Sequence, residues 1–210
     1  MKNLPNLLCT ALVAFVGMSL NAQDIASLYT NDISNYKERN PVYDYTEVNL
    51  NSVDTVPDYA SKDQKIKISG TVYQSDGVTP AAGVILYVFQ TNEKGNFKTQ
   101  RDDQGKRYVK HRAWVKTDND GKYTIYTFMP GKYYHRKELK QIQRIVKEPG
   151  KEPYQLNPFF FDDDPLIADL TLACRSRVAQ SMLRLNEKDG MLIANEDIRL
   201  NQNTIFSIEQ

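Results

Sequence analysis

Cysteine, histidine and any excess of one charge are what this 210-residue sequence has least of. It contains two cysteines, Cys9 and Cys174, and two histidines, His111 and His135. Basic and acidic residues nearly cancel, 27 against 26, which leaves no electrostatic footprint for nucleic acid or an anionic membrane surface. There is no internal repeat and no low-complexity tract. Long apolar runs are also missing, with one exception at the N-terminus.

That exception is "MKNLPNLLCTALVAFVGMSLNAQD". A lysine near the start, an apolar run from Leu7 to Leu20 and then small or polar residues predict a secretory signal over residues 1–22, because the run is short for a bilayer span. The expectations are therefore an exported protein, cleavage near Ala22 or Gln23, and no transmembrane span afterwards. Cleavage removes Lys2 and Cys9 and leaves the processed chain close to neutral, with Cys174 alone and no intrachain disulfide. Stability then rests on a core, and the remaining length suits one domain.

Residues 23–64 are polar and broken up, yet Tyr29, Tyr36, Tyr43, Tyr45 and Tyr59 are scattered through them. The reading is an extended or partly disordered arm, with wrapping of the domain favoured because free linkers are usually poor in aromatics. From Lys65 onward the texture changes. "KIKISGTVY", "GVILYVFQT", "RAWVKT", "KYTIYTF", "QIQRIVKE" and "NPFFFD" are rich in Val, Ile, Tyr, Phe and Thr, and turn residues separate them. This predicts a mostly β domain over 65–210, a sandwich or barrel. "DNDG" at 118–121 and Asp189–Gly190 are the hairpin turns. Helical spacing occurs once, through Leu166, Leu170, Leu172 and Val178, and predicts a short helical segment near 166–180.

"GTVYQSDGVTPAAGVILYVFQTNEKGNF", "WVKTDNDGKYTIYTFMPGKYYH" and "IVKEPGKEPYQLNPFFFDDDPL" together resemble the intradiol ring-cleavage dioxygenases, above all their small exported bacterial type. The resemblance runs from about Ile66 to Arg199 and implies a β-sandwich. It also implies a chemistry: ferric iron held by two tyrosinates and two histidines, a catechol bound to the iron, and oxygen attack between the two hydroxyl-bearing carbons. Phenolates suit a hard, highly charged ion, and imidazoles complete the shell.

Residue by residue, the resemblance places only one of those ligands in this chain. Tyr133 in "MPGKYY" matches the second tyrosine. The first falls in a "GxY" pattern that here reads "GNF", which puts Phe97 in its place. The histidine pair falls on "QIQ", so Gln141 and Gln143 occupy both positions, and the arginine three residues ahead of the first histidine is replaced by Glu138. Phe97 has no donor atom, and a glutamine offers a neutral carbonyl in place of an imidazole nitrogen. The expectation is a degenerate iron site without metal or other cofactor. Phe97, Tyr133, Gln141 and Gln143 would then line a small mixed pocket for a small aromatic ligand, in a non-catalytic binding module.

Two rival readings stand beside this one. An active oxygenase would hold iron through a rebuilt site and cleave a catecholic aromatic; an exported structural or adhesive module would have a filled interior. Tyr108, His111, Tyr134 and His135 are candidate neighbours of the pocket, although beside Arg112 and Arg136 both histidines read as surface residues. "FFFDDDPL" reads as core aromatics followed by a structural turn, and residues 92–114 as a long polar loop over the mouth of the site.

Overall fold

The computed structural model of the chain describes residues 35–46, 50–132 and 138–200. In chain order its strands are β1 (Val53–Thr55), β2 (Lys65–Tyr73), β3 (Ile85–Gln90), β4 (Thr99–Arg101), β5 (Arg107–Val109), β6 (Arg112–Lys116), β7 (Lys122–Phe128), β8 (Gln141–Lys147), β9 (Tyr154–Phe161), β10 (Met182–Leu183), β11 (Asn186–Lys188), β12 (Met191–Asn195) and β13 (Ile198–Arg199). One sheet has the order β1-β7-β2-β12-β11, with β13 continuing along β2. A second has the order β10-β9-β8-β3-β6, and β4 pairs with β5 alone.

Alternation along the strands makes the sandwich. Ile66, Ile68 and Val72 of β2, with Tyr123 and Ile125 of β7, face Leu86 and Val88 of β3, Ala113 and Val115 of β6, and Ile142 and Val146 of β8 in one buried cluster. Phe128, Phe159 and Phe161 close it, each fully buried. Each such side chain contributes roughly 1.5–3 kcal/mol by leaving water, so this interior is the main source of stability. The mostly β expectation holds, and no helix among the described residues is long and apolar enough to cross a membrane.

Two turns follow their residues. Asp118 Oδ1 accepts from the backbone amides of Asp120 and Lys122, so "DNDG" closes the β6–β7 connection. Asp189 and Gly190 both take positive φ, 52° and 75°, which suits a two-residue link between β11 and β12.

The helical segment is divided. Residues 165–169 form a 3-10 turn capped by Asp164, and α1 (Leu172–Ala179) starts afresh at Thr171, whose hydroxyl accepts from the Cys174 amide. Because the spacing does not run through one helix, Leu172 is left 81% exposed. Val178, Leu166, Ile167 and Leu170 pack with Leu139, Phe160 and Met182. Cys174 is 4% exposed, on the inward side of α1.

Between β12 and β13 the chain bends over Gly70, where a Cβ would lie 2.0 Å from the Glu196 carbonyl oxygen. Burial raises the Glu196 carboxyl to about 7, with Asp197 reinforcing the shift and Arg144 and Arg184 opposing it. A raised native-state pKa means that the contribution is complete below the ordinary glutamate range and is lost as pH rises through about 7. Thermal melts of the wild type beside Glu196→Gln should therefore diverge between about pH 4.5 and 7, the wild type losing relative stability as pH rises. Parallel curves would remove Glu196 from the account.

Candidate functional site

Strand β8 carries two faces of opposite character. Ile142, Arg144 and Val146 point into the sandwich, while Gln141, Gln143 and Ile145 point outward, as period-two geometry requires. Arg144 is 1% exposed, and β9 provides for it. Ile142 pairs with Phe159 and Arg144 with Leu156, so β9 holds one residue more than β8 across this interval. The bulge contains Asn157 and Pro158; proline has no N–H to give the ladder. The Asn157 carbonyl accepts from Arg144 Nε at 2.7 Å and also from Nη2. The guanidinium lies 3.8 Å over the Phe159 ring, and burial lowers its pKa to about 10.

On the outer face the register sets side chains in rows. Arg112 of β6, Phe89 of β3 and Gln143 of β8 are direct cross-strand neighbours; the next row is Trp114, Tyr87, Ile145 and Gln155. Gln143 Oε1 accepts from Gln155 Nε2 at 3.1 Å. Two covers flank these rows. Val42, Tyr43, Tyr45 and Leu50 of the arm pack on Ile85, Tyr87, Ile145 and Trp114, and the Trp114 indole N–H donates to the Pro41 carbonyl at 3.0 Å. At the other end lie α1 and the turn before it, over Phe160. The two amides occupy the strip between the covers.

Residues 92–114, expected as a polar loop, instead contain the β4–β5 hairpin folded against this face. Phe97 is 8% exposed, with its ring centroid 6.1 Å from that of Phe89. Tyr108 lies 3.7 Å over the Arg112 guanidinium. The arm clasps the hairpin: Lys106 Nζ donates to the Arg39 carbonyl at 2.6 Å and pairs with Asp44 at 2.8 Å, with both side chains nearly buried. The Tyr36 hydroxyl donates to Asp102, which helps to push the tyrosine up to about 12. Where β7 ends, Gly131 lies so close to the Glu93 carbonyl that a Cβ would sit 2.3 Å from its oxygen, and the Gly131 amide donates to the Asn92 carbonyl. That close approach holds the chain after Pro130 against the turn that carries Phe97.

Three of the four ligand positions implied by the resemblance, Phe97, Gln141 and Gln143, thus belong to one outer face, and Tyr108 joins them through Arg112. Tyr133, Tyr134 and His135 lie outside the described residues. His111 requires a correction. It is 1% exposed and not a surface residue, because it shares the inward face of β6 with Ala113 and Val115. Its ring meets Phe128 edge-on at 4.9 Å, and Nε2 lies 3.4 Å from Asp58. Burial lowers its pKa despite that carboxylate. Arg112, Phe89 and Gln155 were missed by the sequence reading, since their proximity comes from strand register. The acidic turn is structural: Asp164 caps the 3-10 turn and accepts from the Lys140 amide at 2.7 Å.

Ferric iron does not fit these residues. The Phe97 ring supplies no donor, and the Gln143 carbonyl oxygen is already engaged by Gln155. Among the described residues no three His, Cys, Asp or Glu side chains come together as a metal group. A cavity of about 440 Å³ opens at the end of the sandwich, lined by Lys62, Glu93, Phe128, Gly131 and Lys140 among others. Lys62 is paired with Glu93 and Lys140 with Asp163.

A family model described as Dioxygenase matches residues 39–161. The fold is similar to that of the dioxygenase domain of a dioxygenase carbohydrate-binding protein fusion from Streptomyces sp. SirexAA-E, with a TM-score of 0.58 at 18% identity over 74% of this chain and 92% of that one. Chlorocatechol 1,2-dioxygenase from Pseudomonas putida gives 0.52 at 19%, over 74% and 68%. An intradiol ring-cleavage dioxygenase from Tetranychus urticae gives 0.53 at 14%, over 74% and 88%.

The clasp has a measurable consequence. Replacing Lys106 by alanine removes a buried charge-assisted contact to Asp44 and should cost about 1–3 kcal/mol. Hydrogen exchange should accelerate first in residues 99–109; uniform acceleration across the sandwich would contradict a local clasp.

Proposed function

Because the chain belongs to the dioxygenase family, with the fold of its intradiol ring-cleavage members, we propose that it is an exported, iron-free member whose former metal site works as a binding face for a small aromatic ligand. The observation that carries this reading is the state of Gln143. Its side chain is on the outer face where the resemblance puts a histidine, and its only strong ligand atom is bonded to Gln155. Phe97 adds the second argument: its ring packs on Phe89 and enlarges an apolar surface.

A neutral amide pair beside aromatic rings is suited to recognition. Rings present flat stacking surfaces, and amides fix the orientation of a polar group. The residues do not bind, polarise or reduce oxygen by themselves, so the reading carries no ring cleavage. Export is supported by the N-terminal stretch through Gln23, in which a short apolar run follows a lysine.

The test is metal content and visible absorption after ferric loading, for the wild type and for a Phe97→Tyr, Gln141→His, Gln143→His variant. Tyrosinate bound to ferric iron absorbs visible light. The expected result is a colourless wild type, and a coloured variant would mean that the scaffold keeps the family geometry. A coloured wild type holding one iron per chain, with oxygen uptake on catechol, would overturn the proposal.

A further inference from the structure

Most buried or half-buried cations in this protein have an anionic or carbonyl partner. Arg39 and Lys106 share Asp44, Lys62 has Glu93, Lys110 has Asp58, Lys132 has Asp164 and Lys140 has Asp163. Arg144 has the Asn157 carbonyl twice over. Arg112 is different. Among the described residues it makes no ion pair, and its Nη1 is buried with no hydrogen-bond partner there. An unmatched buried donor on a permanent cation costs free energy, so its retention on a surface strand requires an explanation.

The surroundings of Arg112 limit what can satisfy it. Two rings pack against its guanidinium, Tyr108 at 3.7 Å and Trp114 at 4.9 Å, and the Tyr87 hydroxyl is beside it. Aromatic rings contribute no conventional hydrogen-bond acceptor, so the Nη1 donor is left for an acceptor from outside. Across the row, beyond Phe89, is Gln143, whose carbonyl is taken by Gln155, so its amide N–H groups are what it has left to offer. The row therefore has a cationic donor at one end, an amide donor at the other, and a phenyl ring between them. Complementarity requires an acceptor-bearing anion with a flat apolar body.

We propose that Arg112 anchors a carboxylate, and that the ligand class of this face is a small planar carboxylic acid lying along Phe89 toward Gln143. This rests on the binding-face reading above and assigns to it a charge and a shape. Tyr108 covers the guanidinium from the hairpin, and its hydroxyl donates to Gln100 within the same hairpin. The ring therefore has no hydrogen bond to the sheet to lose as the acid enters.

The molecule contains its own reporter, since Trp114 is the sole tryptophan and touches Arg112. Benzoate, benzyl alcohol and inorganic phosphate would be titrated into the purified, iron-free protein while Trp114 emission and heat are followed. Benzoate should give a saturable change that the other two do not, and Arg112→Met should weaken it about tenfold or more. Arg112→Lys, which keeps the charge and loses the planar edge, should recover only part. Gln143→Leu, which leaves Arg112 in place, should weaken benzoate more modestly and guards against a misfolded arginine variant.

Equal binding of benzyl alcohol would sink the carboxylate while leaving an aromatic site. Equal competition by phosphate would make Arg112 a general anion contact and overturn the planar class. Benzoate binding that survives Arg112→Met in a folded protein, or no emission change and no heat at all, would overturn the proposal outright. Iron in the wild type would defeat the earlier reading separately, because the titrations use iron-free protein.

Discussion

A guanidinium sealed inside a β-sandwich is costly unless its surroundings are built for it, and the strand that carries Arg144 is arranged around that requirement. The bulge at Asn157–Pro158 frees a carbonyl from the ladder and turns it to Arg144. Phe159 lies under the cation. A slip of β8 by one residue would expose Arg144 and bury both glutamines. The inward demands of Arg144 therefore fix which residues face outward, and the outer face inherits its composition from a constraint inside the core.

That outer face is assembled from distant parts of the chain. Phe89, Arg112 and Gln143 come from three strands, Phe97 and Tyr108 from the hairpin folded across them, and the arm closes one side through Val42 and Pro41. Lys106 and Asp44 connect arm to hairpin, so the stacking of Tyr108 on Arg112 depends on residues well outside the face. Here Gln155 satisfies Gln143, and Phe97 packs on Phe89.

The long strands were legible because each is bounded by turn residues and alternates, or is apolar throughout, as β3 is between two neighbours. The Asp189–Gly190 turn was legible because few residue pairs accept positive φ at two successive positions. β1 and the β4–β5 hairpin were not, since "VDT", "TQR" and "RYV" have no apolar period and become strands only through partners far along the chain. His111 was misread because its residue type suggested solvent, whereas its parity with Ala113 and Val115 points inward. The helical series was read across a break that Thr171 creates by capping a new helix. The glutamine pair was legible through resemblance, but Gln155 and Arg112 were not, because register is a property of pairing and leaves no mark in a single strand.

The neighbours of β2 bear on how such a chain comes together in time. On one side is β7, antiparallel and close in sequence; on the other are β12 and β13, parallel and more than a hundred residues downstream. A chain emerging from its N-terminus, whether from a ribosome or through a membrane pore, can pair β2 with β7 early and then must wait. Until residues 191–199 appear, the central strand presents a bare edge of unpaired amides and carbonyls, the kind of edge that recruits other chains. The sandwich is closed by its last strands, and any ribosomal pause or premature stop before them leaves an adhesive intermediate in place of a smaller folded domain.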